Sequence, residues 1–453
     1  MSKTSSVLKF AVVAVVAVVA FAGGALATSI ANATTEQESP YYVLDQLARV
    51  LVRIENDYVD PVDRNRLIEG AIKGMVAELD PHSSFLPRED YAIFQGDTQG
   101  RFGGVGVEVD FGNDSVTVMS VVEGSPAEQR GIAPGDQIIA IDGHPVRGKS
   151  SADLVRTMRG EPGSKVNLSL RRKSHEGLLT VTLVRRIITV SSVASKLLNE
   201  GVGYLRIKSF QSGTHTEFQE ALGKLRAANG EGLNALILDL RNNPGGLVDE
   251  ASAIADEFLD GGVIYTTRHR RQIVDEAAAS AGGSVKRGPI AILVNEYSAS
   301  ASELLAGALQ DQHRGPIIGA KTFGKGSVQS ILDLPGGDGL RITTMRYYTP
   351  SGRAIQALGI TPDVLVPTPF AGVDDIVRES DLEGHLAAEG KRVAPKAPPP
   401  SSEKEMTPRK SPGASETLLG VARITPVNPL TGPDRALKVA YEMLTGRRGL
   451  VSK

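Results

Sequence analysis

The hydrophobic pattern of this 453-residue chain changes period three times, and that constrains its fold more than any other feature. Over residues 38–97 apolar residues recur at i, i+3, i+4 and i+7. That spacing predicts a helix across Tyr42–Glu55 and a second from Arg64 to Leu79, stopped by Asp80-Pro81-His82-Ser83. Two short amphipathic helices bury little by themselves, so they should pack on another domain or on a second subunit. From about Gly100 the pattern shortens to strands such as Gln137–Ile141 and Lys165–Leu170. These are punctuated by turn signals and a helix over Ser151–Met158, which together predict a small β-sandwich over residues 98–187. Over residues 188–370 apolar strands, Gly203–Ile207, Ala235–Leu240 and Pro289–Val294, alternate with helices at Thr214–Ala228 and Ser300–Gln312. Such alternation means an α/β sheet covered on both faces. Residues 371–453 carry a Pro-rich linker, Ala394–Ser402, and an amphipathic helix, Pro433–Leu444, to which no chemistry is assigned.

Composition narrows the function. Basic and acidic side chains nearly balance, 50 against 52, which gives no reason to expect nucleic acid as a partner. Cysteine is absent, which excludes disulfides, thiol nucleophiles and cysteine metal sites. The seven histidines show no ligand spacing, so neither metal nor cofactor is expected. Lys3 and Lys9 precede the uncharged run Phe10–Ala27, followed by small residues at Ala25-Leu-Ala27 and Ala31-Asn-Ala33. Residues 1–33 fit a cleaved signal peptide or an uncleaved signal anchor. Either sends the remaining chain out of the cytoplasm, to a periplasmic or otherwise exported location, held at the inner membrane if the anchor stays.

Two segments carry candidate chemistry: Tyr297-Ser-Ala-Ser-Ala-Ser-Glu303 and Phe323-Gly-Lys-Gly-Ser-Val-Gln329. Serine needs a base to act as a nucleophile, and a lysine freed of its proton can be that base. The apolar strand ending at Val294 leads into a helix, so Ser300 falls near a helix N-terminus, where free N–H groups favour negative charge. The N–H of Ala301 and the glycine turn Asn242-Asn-Pro-Gly-Gly246 are candidate oxyanion donors. Against this, Ser300-Ala-Ser-Glu303 also reads as a capping box, Lys325 as a surface lysine, and three alternating serines leave the nucleophile ambiguous. In the sandwich, Phe102-Gly-Gly-Val-Gly106 is a candidate nest in which Gly103, Gly104, Val105 and Gly106 would hold a peptide carboxylate.

The sandwich motif Ser125-Pro-Ala-Glu…Gly131-Ile…Pro134-Gly-Asp…Ile141-Asp-Gly143 resembles a PDZ domain. The segments Asp239-Leu-Arg-Asn-Asn-Pro-Gly-Gly246, Ser298–Glu303, Thr322–Gln329 and Tyr348-Thr-Pro-Ser-Gly-Arg353 resemble the carboxy-terminal processing peptidases, or tail-specific proteases. The resemblance spans about residues 40 to 370 and implies a crotonase-like (ClpP/crotonase) α/β protease core. It implies Ser300 as nucleophile, Lys325 as general base and Gln329 as the residue orienting the lysine. Gly246 and Ala301 would form the oxyanion hole, with Asp311 in support and Arg159 a gating candidate. The implied function is a serine endopeptidase that cleaves exported proteins near free, apolar C-termini read by the PDZ domain. A homo-oligomer is expected, and an adaptor protein is a further candidate partner. A peptide-binding scaffold or chaperone with a vestigial site, and a crotonase-type enzyme acting on a thioester, are the competing classes.

Overall fold

The structure, a computed structural model, describes residues 40–111, 116–230, 232–285, 287–367, 376–389 and 432–447. The signal or anchor segment and the Pro-rich linker lie outside the described residues. The chain divides into two units, residues 1–74 and 75–453. In the first, the helix Pro40–Asp57 leaves Tyr42, Leu44, Leu47 and Val50 exposed. Arg64, opening the next helix, pairs with Glu55 across the turn.

In the second unit the region expected to be largely helical also holds a strand after the stop at Asp80. Ser84–Leu86 is a strand whose buried Phe85 joins a sheet with Gly339–Tyr348, and a helix follows over Arg88–Thr98. Tertiary pairing overrides the local helical bias there. The next block has a five-strand path running from Val107–Phe111 to Leu178–Val184. Its core is Val109, Val118, Ile138, Ile141, Val166, Leu168 and Leu170, with Leu154 and Met158 of the helix Ser151–Met158 packed in. Among the described residues Val107–Phe111 pairs only with Val116–Val121, and no strand is on its other edge.

The catalytic-type core is a six-stranded sheet in the order Val193–Leu197, Val202–Ile207, Ala235–Asp239, Ile290–Val294, Ile317–Gly319, Val364–Leu365. Only the first pair is antiparallel. The central strands are buried throughout, as near-continuous apolar runs require. Helices Thr214–Asn229, Val248–Phe258 and Ala301–Asp311 supply Phe218, Phe258 and Leu305 to one face. The helix Arg435–Leu444 covers the other, seating Leu437, Ala440 and Tyr441 on Tyr204, Ile237 and Leu293. Each large apolar side chain so buried contributes about 1.5–3 kcal/mol. Asp434, capping that helix, is bound by Arg241 at 2.8 and 2.9 Å, tying the tail to the turn after Ala235–Asp239.

Candidate active site

Ligands of open parallel sheets gather at the carboxyl ends of the strands. Three loops leave those ends here: Leu240–Leu247, Asn295–Ser300 and Ala320–Gly326. They carry the glycine turn, the serines and the candidate lysine.

Burial separates the three serines. The Ser298 hydroxyl donates to the Leu240 carbonyl at 2.8 Å, and Ser302 donates to the Asn243 carbonyl at 3.0 Å; both are fully buried. Ser300 is only half-buried and its side chain makes no cap hydrogen bond. Residues for both halves of a capping box are in place, but only the carboxylate half closes: the Ser300 N–H donates to Glu303 Oε2 at 2.8 Å. Ser300 also holds φ 54° and ψ −116°. Such backbone costs a non-glycine residue about 1–3 kcal/mol and turns its side chain out of the helix start, as in a nucleophile elbow.

The glycine turn lies against this elbow. A Cβ on Gly245 would stand 2.8 Å from both Ser300 Cβ and the Ala299 carbonyl oxygen, so only glycine fits. Asn243 welds the two loops together. Its carbonyl accepts from the Ala299 N–H at 3.0 Å, its Oδ1 from the Gly245 N–H at 2.9 Å, and its amide donates to the Ile207 carbonyl. Among the described residues the N–H groups of Gly246 and Ala301 have no acceptor, and Gly246 is exposed. Two free donors beside a turned-out hydroxyl are what an oxyanion site needs.

Glu303 joins the serine loop to the lysine loop. Fully buried, it accepts at Oε1 from Thr322 Oγ1 (2.5 Å) and the Gly324 N–H (2.7 Å). At Oε2 it accepts from the N–H groups of Ser300 and Lys325, both at 2.8 Å. Those two backbone nitrogens therefore lie within twice that distance of each other. Burial pushes the Glu303 carboxyl up to about 7, against the pull of its four donors. Lys325 exposes part of its surface, yet its ammonium is crowded by protein. Desolvation first, then the Arg341 guanidinium, bring it down to about 8, opposed by Glu379, Asp80 and Glu303. Burial beside a second cation is an established way to free a lysine of its proton.

Other expected residues fall differently. Gln329 makes no hydrogen bond to Lys325; its amide donates to Ser327 Oγ at 2.9 Å and more weakly to Thr343 Oγ1, beside a register shift between Val328 and Gln329. Asp311 caps the loop Tyr348–Arg353, accepting from the Ser351 N–H and hydroxyl and from Arg353, at the far end of the helix from Ser300. In the expected carboxylate nest, Gly103 and Gly104 are in a strand paired with Arg186–Thr189, and only Val105 and Gly106 stay outside it. A side chain at Gly103 would collide with the Gly160 carbonyl, which is why that ladder takes glycine. Arg159 ends the helix Ser151–Met158, the groove helix of the PDZ-like reading, pairs with Asp97 at 2.6 Å and stacks on the Phe102 ring at 4.3 Å. The tail is not without a part, because residues 376–389 pack on the lysine loop. In the sequence Glu303 reads as part of a helix cap and Asp80-Pro-His-Ser as a helix stop; both motifs are visible there, but their distant partners are not.

A PDZ-type sandwich joined to an α/β core with this serine-bearing elbow defines a serine peptidase. Sequence profiles match along the whole arrangement: the activating protease CtpB N-terminal domain over residues 10–90, a PDZ domain over 103–183, and peptidase family S41 over 201–366. A carboxy-terminal-processing protease of Bartonella bacilliformis is 40% identical over 359 residues, 78% of this chain and 82% of the relative. A probable CtpA-like serine protease of Staphylococcus aureus is 39% identical over 329 residues, covering 72% of this chain and 65% of that one. Among solved structures, a photosystem II D1 C-terminal processing protease is 33% identical with a TM-score of 0.45, covering 70% of this chain and 86% of the other. The chain belongs to the carboxy-terminal processing protease family, within peptidase family S41.

Proposed function

We propose that Ser300 is the nucleophile and Lys325 the general base of a Ser-Lys dyad that cleaves exported proteins near their C-termini. Ser300 attacks the scissile carbonyl, Lys325 takes its proton and returns it to the leaving amine, and water then releases the acyl-enzyme. The N–H groups of Gly246 and Ala301 receive the oxyanion. The observation that carries this reading is the single carboxylate oxygen of Glu303 that binds both the Ser300 and the Lys325 backbone.

The open edge of Val107–Phe111, facing the sheet's exterior, takes the substrate tail as an added strand, with its carboxylate at Val105–Gly106. Arg159, bridging the groove helix to Asp97, is the gating residue. Export follows from the N-terminal segment, which serves as signal or inner-membrane anchor. Exposed apolar residues on the helix Pro40–Asp57 support self-association.

The test uses chain lacking residues 1–33 and an unstructured protein ending in apolar residues. Wild type should shorten it from the C-terminus, while Ser300→Ala and Lys325→Ala should bind it without cleavage. Cleavage surviving in Ser300→Ala would end the dyad reading.

A further inference from the structure

Residues 376–389 form a strap over the lysine loop. Arg378 donates to the carbonyls of Lys321 and Thr322, and the Glu379 N–H donates to the Phe323 carbonyl. The Glu379 carboxylate is fully buried. Its Oε1 accepts from Gln356 Nε2 at 2.8 Å, and its Oε2 lies 2.7 Å from His82 Nε2. Gln356 Oε1 in turn accepts from the Gly326 N–H at 2.9 Å. One chain of side chains thus runs from His82 through Glu379 and Gln356 to the residue next to Lys325. His82 is itself held from behind, since Asp80 Oδ1 accepts from the His82 and Ser83 N–H groups and from Thr343 Oγ1.

A buried carboxylate needs a partner that satisfies it, and His82 does so from a loop nearly three hundred residues away. We propose that His82 and Glu379 are a positioning pair that sets the basicity of Lys325: Glu379 provides negative charge behind the lysine, and His82 orients that carboxylate. This inference rests on Lys325 being the base. The charged groups facing Lys325 are Arg341 from the strand Gly339–Tyr348, Glu303 from the helix Ala301–Asp311, Asp80, and Glu379. Of the carboxylates, Glu379 acts most strongly to keep the ammonium charged. A merely structural strap would use the same contacts, but its loss would scale activity without moving its pH dependence.

The sign follows from the charges. Glu379→Gln removes an anion near the ammonium, so the acid limb of kcat/KM should move to lower pH, by roughly half a unit to one unit. His82→Gln keeps a donor for Glu379 and should leave the limb in place, whereas His82→Leu removes that donor and should move the limb to lower pH as well. Full-chain protein should be assayed for kcat/KM from about pH 6 to about pH 10, with thermal unfolding recorded for each variant. Limbs that stay at the wild-type position in Glu379→Gln and His82→Leu, with only the plateau lowered, would overturn the pair's role. Should Glu379→Gln fail to fold, His82→Leu alone decides. Lys325→Ala separates the two readings. Turnover in that variant overturns the base assignment and the pair with it, whereas an inactive Lys325→Ala with unmoved limbs overturns the pair alone.

Discussion

Glu303 Oε2 receives the Lys325 backbone N–H at 2.8 Å, so the lysine loop is anchored by a carboxylate on the helix that Ser300 opens. Glutamine at 303 would turn an amide donor towards one pair of these N–H groups. Each buried donor left unmatched costs about 1–3 kcal/mol. Glu303→Gln should lower kcat/KM at least about a hundredfold. Binding of a C-terminal peptide to the sandwich should persist, as titration of a labelled peptide would check.

Lys325 stands at about 8, below its ordinary 10.5. As a base it must be neutral, so kcat/KM should rise about tenfold per pH unit up to about 8 and level off above it. Linkage runs the same way. Between 8 and 10.5 the unfolded chain binds the extra proton, so this group's contribution to stability rises with pH across that window. Below it the burial cost is fully present. Lys325→Met should therefore be inactive yet more stable near neutral pH by about 2 kcal/mol, read as a rise in denaturation midpoint.

Ser300 holds a backbone that suits glycine. Ser300→Ala and Ser300→Gly should both abolish turnover, but the glycine variant should be more stable than the alanine variant by about 1 kcal/mol. Paired thermal unfolding curves would show it, and equal midpoints would mean the elbow stores no strain.

Gly245→Ala should fail because its Cβ would meet Ser300 Cβ and the Ala299 carbonyl at 2.8 Å. The two loops must separate, and the free donors on Gly246 and Ala301 move with them. Loss of the acyl-enzyme burst, with peptide binding retained, is the expected signature.

Arg159→Ala removes the bond to Asp97 and the stack on Phe102 together. If Arg159 gates the core, Asp97→Asn should share its phenotype. Both variants should alter cleavage of long tailed substrates far more than cleavage of a short peptide lacking the tail, compared as a ratio of kcat/KM values.

Local pattern was enough for the regular elements. Gln137–Ile141 and Ser151–Met158 begin and end where their periodicity says, because burial on one face decides both. Ser300 and Lys325 were legible as a pair only through neighbouring motifs. What could not be read were partnerships at long range: Glu303 with the lysine loop, His82 with Glu379, Asp434 with Arg241. Each unites residues whose separate contexts describe a cap, a turn and a tail, and no periodicity encodes them. Gln329 shows the converse: four positions from Lys325, its amide hydrogen-bonds Ser327 Oγ, beside a register shift in the strand.

The unpaired edge of Val107–Phe111 carries Glu108 and Asp110 on its solvent face. Two sandwiches meeting edge to edge would bring these carboxylates towards each other, so the strand that invites a peptide discourages its own kind. An incoming tail would lay alternate residues beside the same charges. On the proposed reading acidic tails would be disfavoured there and basic ones favoured, so a feature that discourages stacking would also grade what the strand accepts.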